Sequence, residues 1–186
     1  MVYSMNVFFL HQDPVISAQH HCDKHVVKMI IEYAQMLSTN HRYLDGEMYL
    51  EKSQNTGRNI KRWRLSDERE EHMYKVAHLN HPSTVWAREN KQTYLWLYNC
   101  WQELCKEYTM RYGRMHETER KLKDWLHLVP NNIPDGPMCE PPPAMKKFPQ
   151  CIVENDSIAS YRKYYIEAKS HFAKWTKRDI PSWYSA

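Results

Sequence analysis

The amino-acid sequence predicts an all-α fold, a single compact helical domain that spans residues 1–186 and contains about five helices. Glycine occurs only 4 times, which is too few for a sheet-rich fold with many tight turns. Two long stretches, residues 17–40 and 83–112, contain neither glycine nor proline, and their apolar residues recur at steps of three and four, the spacing of a helix face. Seven of the 10 prolines lie between positions 130 and 149, so a Pro-rich loop is predicted at 130–155.

The chain is expected to begin with a short extended segment. Residues 6–10 form the strongly apolar run NVFFL. Pro14 disfavours a helical conformation at Asp13, so residues 11–14 predict a loop that leads into the first helix. His11 and Asp13 are therefore candidate catalytic residues near the start of that helix, although an aspartate before proline is also a common turn residue.

Residues 17–40 predict one long first helix with Ser17 as its N-cap. Its core-facing residues are Ala18, Cys22, Val26, Met29, Ile30, Tyr33 and Leu37. A second stripe runs beside them and consists of His21, His25, Lys28, Glu32 and Gln35. Imidazole, amine and carboxylate groups in line can carry out proton transfer, amine chemistry or metal binding, and we hypothesise that they face a pocket. The alternative is structural, because Lys28 and Glu32 also have the spacing of a common surface ion pair.

The segment from residue 41 to about residue 65 is expected to be a weakly ordered connection. It contains the basic residues Arg58, Lys61, Arg62 and Arg64, with Trp63 among them. Cations around an aromatic ring can contact phosphates and bases, so these residues are candidate nucleic-acid contacts; the alternative is a solvated loop. Ser66 then predicts the N-cap of a short helix that ends near Ala77.

Residues 83–112 predict a second long helix, with a possible break near Asn90 and an end at Gly113. Arg88 follows the corner formed by His81 and Pro82 and is a further candidate contact to nucleic acid. Residues 117–128 predict another short helix.

The last helix is predicted over residues 156–175, and the end of the chain is basic and aromatic. Basic side chains neutralise phosphate and aromatic rings stack on bases, which is typical of nucleic-acid binding. The candidate contacts in this region are Arg162, Lys163, Lys177, Arg178, Trp183 and Tyr184.

Composition excludes several classes of protein. A net charge of +4 permits binding to DNA, and neither a Gly-rich phosphate loop nor a dinucleotide-binding motif is present. Five cysteines without a CxxC pair predict neither a disulfide framework nor a cysteine-rich zinc site. No apolar run reaches the ~18 residues of a membrane span, and the N-terminus lacks the features of a signal peptide. We therefore expect a cytoplasmic protein without a metal, a cofactor or a membrane partner.

Two blocks resemble a family of uncharacterised tailed-phage proteins that is frequent in marine phages. They are LHQDPVISAQHHCDKHVVKMIIEYAQML and HLNHPSTVWARENKQTYLWLYNCWQELCKEYTMRYGRMH. That family is distantly similar to the small helical pyrimidine-dimer DNA glycosylases. The shared features are the turn at 10–14 before the first helix, the Asn-His-Pro corner at 80–82, and the Pro-x-Trp-Tyr pattern at 181–184.

The glycosylase resemblance implies an enzyme that flips a base out of duplex DNA and breaks its glycosidic bond. In that family an N-terminal amine attacks the sugar and a glutamate on the first helix assists, a position that Glu32 matches here. The amine departs from the pattern, because Val2, the terminus after loss of Met1, lies several residues ahead of the family's position. Lys28, one turn from Glu32, could supply an amine instead if its surroundings lower its pKa. For a phage-encoded protein, the host cytoplasm would be the compartment.

Three other interpretations stay open. The same His/Lys/Glu stripe could act as the acid and base of a phage enzyme that hypermodifies DNA bases or processes nucleotides. His21 and His25 could share a metal in a hydrolase, completed by His11, His41, His78 or His81. The protein could also bind DNA without catalysis, with the histidines serving structure alone.

Overall fold

The computed structural model describes residues 5–184, and their architecture is mainly helical. The helices are α1 (Pro14–His20), α2 (Asp23–Asp45), α3 (Arg69–His72), α4 (Pro82–Trp86), α5 (Lys91–Tyr112), α6 (Glu117–Leu122) and α7 (Ser157–Lys169). A 3-10 turn covers Pro149–Cys151, and the strands β1 (Glu47–Lys52) and β2 (Asn59–Arg64) pair antiparallel. The prediction of an all-α fold with about five helices is therefore wrong, since residues 5–184 contain seven α-helices and a two-stranded sheet.

The predicted first helix is divided into α1 and α2 at residues 21–22. Ser17 lies inside α1 rather than at its N-cap, which is Asp13. The break has a tertiary cause: the Arg111 guanidinium donates to the carbonyls of Gln19 and His21, and the Trp175 indole donates to that of His20. Backbone groups that would bond along a continuous helix are satisfied by distant side chains instead.

The weakly ordered connection expected up to residue 65 is also wrong. Helix α2 continues to Asp45, and a β-hairpin follows in which Glu47 pairs with Arg64 and Lys52 with Asn59. Arg42 holds the hairpin against the body of the protein, because its Nη1 donates to the carbonyl of Trp63 at 3.1 Å and its Nε to that of Tyr74 at 2.8 Å. Each strand has six residues, none of which is buried, so the sequence shows no clear alternation of apolar and polar residues that would predict a strand.

The core forms where α2 packs against α1 and α5. The predicted core-facing residues of this region are all fully buried, which confirms the apolar stripe. The Trp101 indole donates to the carbonyl of Ile30 at 3.0 Å and joins α5 to α2. Residues 5–10 are buried along their length and lie outside regular strands.

The predicted break near Asn90 is confirmed, because α4 ends at Trp86 and α5 begins at Lys91 with Asn90 as its N-cap. Gly113 ends α5 in the left-handed conformation with φ of 72°. The helices predicted at 66–77, 117–128 and 156–175 are shorter than expected, since they become α3, α6 and α7.

The Pro-rich loop contains the 3-10 turn but no α-helix or strand, as predicted. It is anchored to α7, because Tyr161 Oη donates to the carbonyl of Pro142 and accepts from the amide of Ala144. Within residues 5–184, no helix combines the length and the apolar character that a membrane crossing requires.

Candidate functional site

His21 lies in the interior, between α1 and α2. Its Nδ1 is 2.7 Å from the carbonyl oxygen of Ser17, and its Nε2 is 3.1 Å from the hydroxyl of Tyr33. That hydroxyl also accepts the amide of Phe8 at 3.0 Å. Burial lowers the pKa of His21 to about 3, so the ring is neutral at physiological pH.

His25 is also buried, with 4% of its surface exposed. Its Nδ1 is 2.5 Å from the Tyr165 hydroxyl, and its ring stacks on Phe8 with centroids 4.2 Å apart. Burial lowers its pKa well below the usual value, and His21 and Lys169 lower it further. The surroundings of both imidazoles favour the structural interpretation over catalysis.

Lys28 and Glu32 form an ion pair on α2, with 3.0 Å between Nζ and Oε1. The Glu32 side chain is 11% exposed and that of Lys28 is 35% exposed, so the pair lies at the edge of the interior. Within residues 5–184, Glu32 Oε2 is buried without a hydrogen-bond partner. Burial raises the pKa of Glu32, while Lys28 and the backbone amide of Asn6 oppose the shift. A carboxyl group with a raised pKa beside an amine is suited to proton transfer.

His78 and His81 follow α3 in the sequence. Burial raises the pKa of Glu32, and the charge of His78 opposes this shift. His78 has a positive φ of 51°, which is uncommon for a residue other than glycine. Burial lowers the pKa of the half-buried His81, and His78 and Lys146 lower it further. No local sequence signal places Lys146 in this neighbourhood.

A metal-dependent hydrolase would need a set of side chains that can bind the metal ion together. Among residues 5–184, no group of three or more histidine, cysteine, aspartate or glutamate side chains is arranged to hold a metal ion.

A cavity of about 320 Å³ opens beside the hairpin, and we call it the hairpin cavity. Its lining consists of Arg42, Tyr49, Arg62, Trp63, Glu70, Glu71, Met73, Tyr74, Lys75, Val76 and Lys121. Four cations and two carboxylates thus face it together with three aromatic residues. Arg62 and Trp63 were predicted as nucleic-acid contacts and are among these residues, whereas the predicted Arg58 lies exposed in the hairpin turn.

The cations of the hairpin cavity differ in how firmly they are held. Arg42 is ion-paired with Glu70 and bonded to several carbonyls, so it supports the wall. Arg62 pairs with Glu51 at 2.7 Å. Lys121 Nζ lies 4.9 Å from the centroid of the Tyr74 ring, a cation–π arrangement.

His11, which precedes α1, and His20, its last residue, form a second, half-exposed cluster with Arg162 of α7 and Trp183. The Trp183 indole donates to His20 Nδ1 at 3.1 Å, and the Arg162 guanidinium lies 5.3 Å from the Trp183 ring. The ring centroids of His11 and His20 are 6.1 Å apart. Burial lowers the pKa of His20 to about 4. Of these, His20 was missed by the sequence analysis. Asp13 acts as a helix cap, since its carboxylate accepts the amide of Val15 at 2.8 Å.

Most of the other predicted nucleic-acid contacts have partners inside the protein. Arg178 pairs with the buried Glu107, Lys177 donates to the carbonyl of Met110, and Lys163 donates to that of Gln150. Arg88 donates to the carbonyl of Leu79 at 2.8 Å and lies over the Tyr43 ring. Tyr184 packs on Trp175, with ring centroids 4.7 Å apart. The predicted contacts are therefore distributed over several places rather than one continuous surface.

Comparison of the chain with protein-family models, with curated proteins and with solved structures found no match. The family resemblance thus stays a prediction. The alternative nucleophile, the amine of Val2, lies outside the described residues 5–184.

Proposed function

We propose that the protein binds duplex DNA and that the hairpin cavity is its principal contact. The composition of the cavity lining supports this proposal. It contains four cationic side chains and two carboxylates, together with the aromatic rings of Tyr49, Trp63 and Tyr74. A volume of about 320 Å³ is within the range of small-molecule sites and suits a nucleotide-sized group.

The cationic and the aromatic side chains of the hairpin cavity would contact different parts of the DNA. Lys75 and Lys121 would neutralise backbone phosphates, which supplies affinity that falls with salt. Aromatic rings offer faces for stacking bases. The two-stranded hairpin has the form of a β-ribbon, which the major groove of B-DNA can accommodate.

A salt titration of duplex affinity tests this proposal. Replacing both lysines, Lys75→Ala and Lys121→Ala, is expected to weaken binding and to reduce the slope of log K against log salt concentration by about 0.9 per lysine. The matched control is Lys106→Ala with Lys147→Ala, which removes the same charge from exposed positions elsewhere. An equal loss of duplex affinity in the two double variants would contradict a localised DNA-binding site.

A second candidate function is base excision at Lys28 and Glu32, of the glycosylase type. It is favoured by the buried, unpartnered Oε2 of Glu32 next to an amine. Glu32 and Arg42 are ten residues apart on α2, about 15 Å along the helix axis at 1.5 Å per residue. Residues 74–77 lie beside the second half of α2, where Thr39 bonds Ala77 and Arg42 bonds Tyr74. DNA held at the hairpin cavity could therefore reach the ion pair.

The chemistry would begin with proton transfer from the Lys28 ammonium to Glu32. The neutral amine would form a bond to C1′ of the sugar as the glycosidic bond breaks, and the leaving base would take up the proton that Glu32 received. The Glu32 carboxylate would then accept a proton from the new C1′–nitrogen adduct and return it to the ring oxygen as the sugar opens. Opening of the sugar ring would yield a Schiff base, and its hydrolysis would release the lysine.

Borohydride trapping on duplexes that carry a pyrimidine dimer or an abasic site tests this second function. The wild-type protein should give a covalent adduct, Lys28→Ala should give none, and Glu32→Gln should slow adduct formation by about two orders of magnitude or more. Lys106→Ala and Glu103→Gln are the matched controls, because these residues form an ion pair of 2.6 Å on α5, in which the Lys106 side chain is 64% exposed. Adduct formation by Lys28→Ala would exclude this lysine as the nucleophile.

A further inference from the structure

A larger cavity, of about 750 Å³, lies between the Pro-rich loop and the start of α7, and we call it the acidic groove. The carboxylates on its lining are Glu89, Glu140, Glu154 and Asp156, and this lining contains no lysine, arginine or histidine. All four of these residues are exposed. The groove is thus negative in a protein whose net charge is +4.

The walls of the acidic groove are apolar. Pro141, Pro142 and Pro143 form one side, and Ile152 and Val153 form another. Ile152 is 43% exposed and Val153 is 37% exposed, so two adjacent aliphatic side chains meet solvent beside the carboxylates. Apolar surface rimmed by charge is typical of a site that binds another protein.

Hydrogen bonds hold this groove in shape. The Val153 amide donates to Ser160 Oγ at 2.8 Å, and Ser160 Oγ lies 3.2 Å from the Val153 carbonyl. On the opposite wall, the hydroxyl of Ser157 donates to the carbonyl of Pro141. A site that is already formed loses less conformational entropy when it binds a ligand.

We propose that the acidic groove binds an extended segment of a partner protein in which lysine or arginine alternates with aliphatic residues. Complementary charge selects the basic residues, and the walls formed by the prolines, Ile152 and Val153 accept the aliphatic ones. A small polyamine would match the charge but would leave the apolar walls uncovered.

The carboxylates do not contribute equally. Glu140 accepts the amide of Ser157 and Asp156 accepts that of Ala159, so both cap α7 and share its positive end. Glu89 and Glu154 have no such role in a helix cap and can be changed with less effect on the fold. They are therefore the residues to replace.

The probe is a fluorescent synthetic peptide of alternating lysine and leucine, measured by anisotropy with the full chain. The double variant Glu89→Gln with Glu154→Gln is expected to weaken binding by about tenfold, since two charge contacts are lost. Ile152→Ser should weaken it further. Glu103→Gln with Glu117→Gln removes the same charge elsewhere and should change affinity by less than about twofold.

Several results would overturn the proposal. These are equal binding of a glutamate–leucine peptide, equal weakening by the control pair, and displacement of the peptide by spermidine at matched charge concentration. Concentration-dependent self-association that Ile152→Ser abolishes would identify a second copy of the chain as the occupant and reject a basic partner. Lys75→Ala with Lys121→Ala should leave peptide affinity unchanged, so failure of the DNA proposal is distinguishable from failure of this one.

Discussion

At the scale of single residues, burial separates the titratable groups of the predicted stripe into two kinds. His21 and His25 are in the interior with hydroxyl or carbonyl partners, and burial lowers the pKa of both. Lys28 and Glu32 lie at the edge of the interior. The four residues follow one another at steps of three and four in the sequence, which therefore predicts one stripe. Their depth below the surface determines what each group can do.

The pKa of His21 predicts a specific loss of stability in acid. Its folded pKa is about 3, below the usual 6.5, so the neutral ring stabilises the fold fully above pH 6.5, and this stabilisation is lost as pH falls toward 3. In His21→Asn this titration is absent. The slope of the free energy of unfolding against pH, below pH 6.5, should therefore decrease by about 1.4 kcal/mol per pH unit.

Denaturant unfolding at a series of pH values measures that slope. His21→Asn should also lower stability at pH 7, because the hydrogen bonds to Ser17 and Tyr33 change. His171→Asn, at an exposed position, is the control and is expected to keep the wild-type slope. An unchanged slope in His21→Asn would mean that the ring is not neutral and buried as described.

At the scale of elements, two helix breaks have different origins. The break before α5 is local, since Asn90 and Thr93 form a capping box within one turn. The break between α1 and α2 depends on Arg111 and Trp175, which are far away in sequence. The first could be predicted from the residues on either side, and the second could not.

The Asn90 cap predicts a graded loss of stability. Its Oδ1 accepts the amides of Gln92 and Thr93, and its Nδ2 donates to the carbonyl of Pro137 in the Pro-rich loop at 2.9 Å. Asn90→Ala removes all of these bonds and should lower the free energy of unfolding by about 2 kcal/mol. Asn90→Asp keeps the acceptor and should lose less.

Chemical denaturation at neutral pH compares these variants. Asn131→Ala, at an exposed asparagine of the loop, is the control and should change stability by less than about 0.5 kcal/mol. An equal loss in Asn90→Asp and Asn90→Ala would show that the bond to Pro137, rather than the cap, dominates.

At the scale of the whole molecule, buried charges connect the segment that follows α7 to helices α2 and α5. The Arg111 side chain is fully buried and pairs with Glu107 at 2.9 Å and Asp23 at 3.0 Å. Arg178 also pairs with Glu107, and Asp23 accepts from Thr176. Arg178, which was predicted to bind DNA, therefore stabilises the fold.

Removal of the buried guanidinium should be costly. Arg111→Met leaves Glu107 and Asp23 with fewer partners and the carbonyls of Gln19 and His21 without a donor. We expect the free energy of unfolding to fall by about 3–5 kcal/mol. The exposed ion pair of Arg120 and Glu117 provides the control, because Arg120→Met should cost less than about 1 kcal/mol. Thermal and denaturant unfolding would compare the two, and similar losses would contradict a special role for Arg111.

The sequence by itself determined the features that depend on neighbours within one or two turns. These include the apolar stripe of α2, the break near Asn90, the end of α5 at Gly113 and the Pro-rich loop. Periodicity and capping are local effects, so the residues that cause them are adjacent in the chain.

Only the tertiary structure decided which polar groups are buried, which cations are already paired and where the hairpin cavity and the acidic groove open. His25 meets a tyrosine 140 positions away, and Arg111 donates to a carbonyl 90 positions away. Whether a polar side chain meets solvent or a partner depends on such distant residues, because burial requires a hydrogen-bond partner that local sequence does not specify.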